Sequence, residues 1–459
     1  MKHIIILSIS LLFTITSFSQ NINGSWSGTL NAGGVKLPLV LNISGEAGAY
    51  TATIDSPLQG AKGIPVTAVS FEKATLTFSI ANAGIEYEGT WQSDSIVGTF
   101  KQNGMTFPLN LKKTEGNAFQ LNRPQEPKPP YPYRSEDVTF ENKPAGITLA
   151  GTLTLPKDGE NFPAVVLITG SGPQNRDEEI MGHKPFLVLS DYLTRNGIAV
   201  LRYDDRGTAQ SGGNYSTATL DDFVADAAAA IDYLKARKEI NQHEIGLMGH
   251  SEGGVIAPMI AARSNDLAFI IMLAGTGLRG DSILLLQNEL AAKAEGMSED
   301  KIAKSSKFNA LIYNKIIDSK GNITLQEMTD WMISEKDKFA EFIPQNIPGD
   351  EFIKKSAEQM TSPWMQYFIC YDPAPALKKV KCPVLALNGE KDLQVSADVN
   401  LNRVKELVKS PVTIKKYPGL NHLFQHCTTG LPAEYGNIEE TISPEVLSDI
   451  VEWIKQVVR

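Results

Sequence analysis

Cysteine is scarce in this chain: its 459 residues include only three, Cys370, Cys382 and Cys427. They are far apart and lack the short paired spacing of structural zinc sites, so we expect no metal site. A chain of this length buries enough apolar surface to fold without disulfides. One bridge involving Cys427 and three free thiols remain as alternatives.

Long apolar runs are also lacking. The run at residues 4–13 is shorter than the roughly 20 residues that cross a bilayer. Lys2 precedes it, and the small residues Ser17 and Ser19 stand where a signal peptidase reads its −3 and −1 positions. The sequence therefore predicts a signal peptide over residues 1–19 and an exported protein, periplasmic or extracellular, without a membrane span.

Positive charge is not in excess. The 43 Lys and Arg residues face 52 Asp and Glu residues, which gives a formal net charge of −9. Because nucleic acids and anionic membranes attract clustered positive charge, neither is expected as the main partner. With 42% hydrophobic and 21% charged residues, the composition is typical of a folded globular protein.

Short alternating segments without a helical period fill residues 20–114. Eight such segments, separated by Gly, Asn, Asp or Pro, predict a small all-β domain, either a barrel or a sandwich. The predicted strands are Ser25–Leu30, Val35–Ile43, Tyr50–Ile54, Val66–Phe71, Ala74–Ile80, Ile85–Trp91, Ile96–Lys101 and Met105–Leu111. The sequence leaves open whether this domain binds a ligand, contacts the rest of the chain or mediates self-association.

A proline-rich linker is predicted at residues 115–135, and the pattern changes after it. From 136 to 459, short continuous apolar runs alternate with helical periods, as in a doubly wound α/β sheet. Residues 281–375 contain helical periods and no strand, among them Leu325–Phe342 and Phe352–Tyr367. They predict a helical cap inserted after the sixth strand of this domain.

A candidate nucleophile follows the apolar run Ile245–Met248. Gly249-His-Ser-Glu-Gly253 matches G-x-S-x-G between a predicted strand and a predicted helix. In that setting a sharp turn exposes the serine oxygen, and the flanking glycines make room for the neighbouring backbone. Ser251 is therefore the predicted nucleophile.

A serine nucleophile needs a histidine base and a carboxylate that orients it. In this topology the order along the chain is Ser, acid, His. After Ser251 only His422 and His426 remain, and His422 lies in a loop after a predicted strand, so it is the preferred base. The preferred acid is Asp392, with Glu390 as the weaker alternative.

Together these segments carry a family resemblance. Gly170–Asp177, Arg202–Gly207, Gly249–Gly253, Gly389–Asp392 and Asn421-His422 occur in an order that resembles the α/β-hydrolase superfamily, in particular serine esterases and aminopeptidase-like hydrolases related to dienelactone hydrolase. The resemblance implies an α/β-hydrolase sheet, a Ser251–Asp392–His422 triad and no cofactor. It also implies an oxyanion hole made by the backbone N–H of Glu252 and that of Gly172, with Ser171 as second choice for the latter.

Two other motifs are interpreted as structural. Asp204, Asp205 and Arg206, like Arg176 and Asp177, are expected to pin loops through Arg–carboxylate pairs. The glycines of Gly275–Gly280 match a dinucleotide-binding pattern, but the predicted helices that follow lack the parallel strand such a site needs. We expect them to form the hinge where the chain enters the cap.

The substrate is the least determined feature. An apolar cap over the cleft favours a small molecule, and esters are easier to cleave than amides because an alkoxide leaves without prior protonation. The sequence thus predicts an esterase for short to medium acyl chains. The alternative is a serine aminopeptidase or amidase whose cap carboxylates, such as Glu289, Asp330 or Glu341, hold the substrate's ammonium group. A non-catalytic binding protein with the same fold is a remote third reading.

Overall fold

The computed structural model describes residues 21–32, 35–59, 61–102, 104–114, 121–343 and 348–458. The predicted signal peptide and residues 115–120 of the predicted linker lie outside this part. The chain divides into two compact units: Met1–Pro57 with Ala61–Gln120, and Leu58–Gly60 with Leu121–Arg459.

The first unit is a nine-stranded antiparallel sheet in the order β4-β3-β2-β1-β9-β8-β7-β6-β5. Its two ends approach each other, since Val66 N–H donates to Ala52 O on β3 and Thr67 N–H to Ser79 O on β6, at 3.0 and 2.8 Å. The strands are Gly24–Ala32, Val35–Glu46, Ala49–Ser56, Ala61–Pro65, Ala68–Glu72, Thr75–Ile80, Ile85–Gln92, Ser95–Gln102 and Met105–Thr114, numbered β1 to β9.

The prediction of an all-β domain is confirmed, with one strand more than expected. The additional strand, Ala61–Pro65, contains Gly63 and ends in proline, two residues that strands disfavour. Trp26 is fully buried in the core of this curled sheet, where its indole N–H donates to Ile22 O at 2.8 Å.

The second unit has an eight-stranded mixed sheet in the order β10-β11-β13-β12-β14-β15-β16-β17. Six strands, from β12 to β17, run parallel, and the β10–β11 hairpin adds two antiparallel strands at one edge. The strands are Arg134–Asn142, Ile147–Leu155, Phe162–Ile168, Ala199–Tyr203, Ile240–His250, Phe269–Leu273, Val384–Gly389 and Val412–Tyr417, numbered β10 to β17.

Helices cover both faces of this sheet. Along β12, Val166 and Ile168 face one apolar cluster, whereas Val165 and Leu167 face a second cluster on the other side. Because the sheet is buried on both faces, its strands are apolar at consecutive positions. The predicted doubly wound architecture is confirmed.

Twelve α-helices are described in the second unit. They are Pro185–Arg195, Leu220–Lys235, Gly253–Ala261, Gly280–Ala294, Glu299–Asp318, Leu325–Ser334, Lys336–Phe339, Gly349–Met360, Pro363–Cys370, Ala374–Leu377, Ala397–Leu407 and Pro444–Val457, numbered α1 to α12. Helices α4 to α10 lie between β15 and β16 and form the predicted cap. Among the helices of the described ranges, none is both long enough and apolar enough to cross a membrane.

Two of the predicted cap helices are broken into shorter ones. The predicted helix Phe352–Tyr367 is two helices, α8 and α9, because Ser362 caps a new helix through its hydroxyl, which accepts from Met365 N–H, and Pro363 takes the first helical position. Leu325–Phe342 likewise breaks into α6, α7 and a short 3-10 turn.

Candidate active site

Ser251 lies at a tight turn between β14 and α3. Its φ is +51°, a left-handed conformation that costs energy for a residue with a side chain, and its N–H donates to Leu273 O on β15 at 2.8 Å. The glycines on either side have no room for a Cβ: one on Gly249 would lie 1.9 Å from Gly253 O, and one on Gly253 would lie 2.1 Å from Ile168 O. The G-x-S-x-G segment thus forms a strained elbow that holds Ser251 at the carboxyl end of β14.

His422 and Asp392 form a buried hydrogen-bonded pair. The Nδ1 of His422 lies 2.7 Å from Oδ2 of Asp392, and both side chains are at most 5% exposed. The other oxygen of Asp392 accepts from the backbone N–H groups of Gln394 and Val395, each at 2.8 Å. Because a carboxylate can only accept, the proton sits on Nδ1, which leaves Nε2 of His422 as the basic nitrogen.

The structure separates the preferred residues from their alternatives. Glu390 is exposed and its carboxylate accepts from Gly419 N–H at 3.3 Å. The side chain of His426 is 66% exposed and pairs with Glu440 at 2.8 Å. Both alternatives therefore lie at the surface, whereas His422 contacts His250, the residue before Ser251, with ring centroids 4.8 Å apart.

The predicted oxyanion donor Gly172 is already engaged, because its N–H donates to the Tyr215 hydroxyl at 2.8 Å. Gly170 N–H is also engaged, by Glu178. The N–H groups of Ser171 and Glu252 have no acceptor among the described residues. A Cβ on Gly170 would lie 3.4 Å from the Cβ of Ser251, so this loop runs beside the serine. The geometry thus favours the N–H of Ser171, the second choice, over that of Gly172 as the second oxyanion-hole donor.

The Glu252 side chain is buried beside the elbow. It is 5% exposed, and Trp364 on cap helix α9 donates its indole N–H to it at 2.5 Å. Burial raises the pKa of Glu252 to about 8, a rise that the Trp364 hydrogen bond reduces and the charge of Asp205 adds to. Burial likewise raises the pKa of Asp205 to about 7. The sequence did not predict either carboxyl as a buried acid.

Charged residues directly after β13 form ion pairs with residues of other segments. The Arg206 guanidinium donates to Asp226 and Asp222 on α2, and Asp204 accepts from Arg176 at 2.7 Å. The expectation that these residues pin loops fits Asp204 and Arg206, although their partners come from neighbouring segments rather than from the same loop. Asp177 pairs with Arg202 in the same way. Asp205 differs, because it accepts from the Thr169 hydroxyl and Gln174 N–H and has no arginine partner among the described residues.

The glycines of Gly275–Gly280 allow close backbone contacts. A Cβ on Gly280, the first residue of α4, would lie 1.7 Å from Phe368 O on α9, and a Cβ on Gly254 would lie 2.7 Å from the Cα of Gly275. The segment therefore joins the sheet to the cap, as a hinge interpretation requires.

Cys370, Cys382 and Cys427 are free thiols. Within the described ranges, no three His, Cys, Asp or Glu side chains converge as a metal site would need.

Two residues near Ser251 were missed as functional candidates, Glu178 and His250. His250 stands at a position that the motif leaves free, and Glu178 is 72 residues away along the chain, so no spacing rule joins them. The only sequence cue is that both are ionisable: His250 lies inside Gly249–Gly253, and Glu178 directly follows Gly170–Asp177.

Comparison with known proteins gives a family match over more than half of the chain. Residues 185–426 match the family described as serine aminopeptidase, S33, and this range contains Ser251, Asp392 and His422. Esterase EstD of Thermotoga maritima is 27% identical over 367 residues, which are 78% of this chain and 76% of that protein. The bifunctional esterase/perhydrolase DCH of Acinetobacter calcoaceticus is 22% identical over 282 residues, 56% of this chain and 84% of its own.

Solved structures give similar folds at low identity. The α/β hydrolase GrgF from a Penicillium species is 18% identical, covers 70% of this chain and 98% of its own, and has a TM-score of 0.43. An esterase of Pyrococcus furiosus is 16% identical, covers 75% of this chain and 100% of its own, and has a TM-score of 0.42.

Proposed function

Because the chain belongs to the serine aminopeptidase S33 family of α/β hydrolases, we propose that it hydrolyses carboxylic esters of short to medium acyl chains through an acyl-enzyme on Ser251. The expected membership of the α/β-hydrolase superfamily is confirmed. The proposal rests above all on the buried His422–Asp392 hydrogen bond, at 2.7 Å, next to the strained serine elbow.

The first half-reaction forms the acyl-enzyme. Ser251 Oγ attacks the ester carbonyl carbon while Nε2 of His422 takes the hydroxyl proton, and Asp392 stabilises the imidazolium that results. The carbonyl oxygen becomes an oxyanion that accepts from the N–H groups of Glu252 and Ser171. Each such donor contributes about 3 kcal/mol to lowering the barrier. The C–O bond to the alcohol then breaks, and His422 returns the proton to the departing oxygen.

The second half-reaction reverses these roles with water. His422 removes a proton from a water molecule, whose oxygen attacks the acyl carbon. The bond to Ser251 Oγ breaks, and the serine recovers its proton from His422. The products are one carboxylic acid and one alcohol.

The carboxylates of the cap and of the elbow favour an ester over an aminoacyl substrate. An aminopeptidase needs an uncompensated carboxylate for the substrate's ammonium group. Glu289 pairs with Lys293 on its own helix, and Asp330 lies exposed at the surface, where it accepts from the neutral amide of Gln326 at 2.8 Å. The side chain of Glu341, the third candidate, lies outside the described part of the structure. Glu252 is closer to Ser251, but burial raises its pKa to about 8, so it is mostly neutral near pH 7. The two relatives named above as esterases favour the same class of substrate.

The test compares substrates and one variant. We expect kcat/KM on p-nitrophenyl acetate and butyrate to exceed that on the decanoate and on a panel of aminoacyl p-nitroanilides. Ser251→Ala should lose at least about 1,000-fold in kcat and all labelling by a fluorophosphonate. Ser264→Ala, which removes a hydroxyl beyond the end of α3, is the matched control and should keep both the wild-type kcat and the fluorophosphonate labelling.

Two results would reject this proposal. Labelling at another residue, or full activity in Ser251→Ala, would refute the nucleophile. Aminoacyl anilides turned over faster than every ester would make the substrate class wrong and leave the triad in place. Export, predicted from residues 1–19, stays a proposal supported by that segment alone.

A further inference from the structure

A buried ion pair lies behind Ser251 and takes no part in the mechanism above. Glu178, in the loop after β12, is 2% exposed, and His250, the last residue of β14, is 7% exposed. Burying a carboxylate and an imidazolium is costly unless hydrogen bonds compensate. The hydrogen-bond partners of Glu178 and His250 therefore indicate which parts of the structure this pair stabilises.

The pair connects the three segments that form the candidate active site. Oε1 of Glu178 accepts from the backbone N–H of Gly170 at 2.9 Å and faces Nδ1 of His250, also at 2.9 Å. On the other side of the ring, Nε2 of His250 lies 3.1 Å from the backbone carbonyl of His422. The oxyanion loop, the serine elbow and the base loop thus meet at one imidazole ring.

These contacts define the protonation state of His250. A carbonyl oxygen only accepts, so Nε2 carries a proton, and an ionised Glu178 also only accepts, which requires a second proton on Nδ1. The titratable groups around the ring are Glu178, Asp392 and His422. Burial alone would lower the pKa of His250, but the charge and hydrogen bond of Glu178, the His422 carbonyl and the charge of Asp392 together raise it.

Backbone conformation supports a role beyond packing. Glu178 has φ +51°, a left-handed conformation that costs energy for a residue with a side chain. Such a residue persists where surrounding contacts hold it in place. Its contacts here are the side-chain hydrogen bonds to Gly170 and His250 and the backbone N–H bond to Asn175 O at 2.9 Å.

We propose that Glu178 and protonated His250 are positioning residues, which hold the Gly170–Ser171 backbone and the His422 backbone in register with Ser251. This inference rests on the proposed function. Neither side chain touches the substrate in this account. A small misplacement of reacting groups costs about 100-fold in rate, so loss of the pair should lower kcat and leave KM nearly unchanged.

The test uses two variants that keep the side-chain volume in the full chain. Glu178→Gln keeps an acceptor for Gly170 but removes the charge that keeps His250 protonated, and His250→Gln removes the ring. On p-nitrophenyl butyrate each should lower kcat by roughly 10- to 100-fold with KM within about twofold. The double variant should be no slower than the slower single variant, since residues acting as a unit are not additive. The matched control is His426→Gln, which breaks the exposed pair of His426 with Glu440 in the loop that contains His422 and should leave kcat unchanged.

A second measurement does not depend on how well the variants fold. In wild-type protein labelled with ¹⁵N-histidine, a pH titration should show His250 keeping protons on both ring nitrogens to a higher pH than an unperturbed histidine does, because its surroundings raise its pKa. Loss of the second proton at or below the ordinary pKa of histidine would overturn the proposal, and so would folded Glu178→Gln and His250→Gln variants with kcat within twofold of wild type. Fluorophosphonate labelling of Ser251 in the wild type keeps the two hypotheses apart: if Ser251 is labelled, such results reject the positioning role alone.

Discussion

Glu252 is the residue whose protonation should be most visible in the stability of the protein. Its carboxyl group is buried against the Trp364 indole and near Asp205, with no cation among its described partners. Burial disfavours the charged form of a carboxyl group. The folded protein therefore keeps a proton on Glu252 at pH values at which the unfolded chain has released it.

The sign of the effect follows from this difference. The pKa of Glu252 rises from 4.5 to about 8 on folding, so between these values the folded state binds one more proton than the unfolded state. The free energy of unfolding then falls as the pH rises, by at most about 1.4 kcal/mol per pH unit for this group. Glu252→Gln, which stays neutral and can still accept from Trp364, should remove that part of the slope.

Urea denaturation at pH 5, 6, 7 and 8 measures this slope. The variant should gain stability over wild type steadily across the series, while Glu160→Gln, at an exposed position, controls for the loss of one formal charge. A constant difference between Glu252→Gln and wild type at all four pH values would contradict a buried, protonated Glu252.

The residues of the site differ in how far sequence can predict them. Ser251, Asp392 and His422 follow from motif order, and the structure brings the last two within 2.7 Å of each other. The contacts of Glu178 with His250, and of Trp364 with Glu252, join residues 72 and 112 positions apart. No local pattern encodes such contacts, because they depend on how separate loops pack.

The serine elbow has little room for added side-chain atoms. The carbonyl of Gly253 lies where a Cβ on Gly249 would be, so an alanine there clashes with backbone rather than with the end of a flexible side chain. Such overpacking typically costs 1–3 kcal/mol and sometimes more. Relief requires a shift of the strand or of the helix that starts at Gly253.

We expect Gly249→Ala to lower the free energy of unfolding by about 3 kcal/mol and to slow fluorophosphonate labelling of Ser251 in the folded fraction. Gly349→Ala, at the first residue of α8, is the control, because among the described residues its Cβ would meet only the terminal Cδ1 of Ile343, at 3.3 Å. Thermal unfolding and labelling rates measure the two effects. Wild-type stability and labelling in Gly249→Ala would show that the elbow is less constrained than this geometry implies.

Strands with continuous apolar runs could be predicted from the sequence. Helix boundaries inside a continuing apolar pattern, and a strand without an apolar run, were harder to predict. The apolar runs of β12, β13, β15 and the second half of β14 lie where the sequence places them, because burial on both faces favours apolar residues. The first half of β14, residues 240–244, is mostly polar and was not predicted. The break between α8 and α9 was missed although Ser362-Pro363 is a helix-start pattern, since apolar residues continue at helical spacing across it. Strand β4 was missed because a neighbouring strand, not its own composition, holds it in the sheet.

At the scale of the whole molecule, each unit has a core of its own. The first unit packs Trp26, Leu76 and Ile96 among the residues inside its curled sheet, and the second has separate apolar clusters on the two faces of its sheet. A domain with its own core can in principle fold alone. Every residue given a role in hydrolysis belongs to the second unit.

The start of the second unit matters for any truncation. Arg123 donates to the carbonyls of Gly182, Gly436 and Ile438 at 3.0, 2.9 and 2.7 Å, and Gln125 donates to Ile442 O at 2.6 Å. Residues 121–125, inside the predicted linker, are therefore bound to the second unit. Composition alone did not predict this, because proline content marks a segment as extended without showing what it packs against.

We therefore predict that a chain of residues 121–459 stays folded and hydrolyses p-nitrophenyl butyrate with a kcat within about twofold of the full chain, since the first unit supplies none of the proposed catalytic groups. A chain starting at Tyr131 loses the hydrogen bonds of Arg123 and Gln125, each worth about 1 kcal/mol, and should unfold at a lower temperature with the same kcat while folded. Thermal unfolding and steady-state kinetics on both chains separate stability from chemistry. A 121–459 chain that unfolds at the temperature of the full chain's second unit, yet has lost tenfold or more in kcat, would mean that the β domain takes part in catalysis.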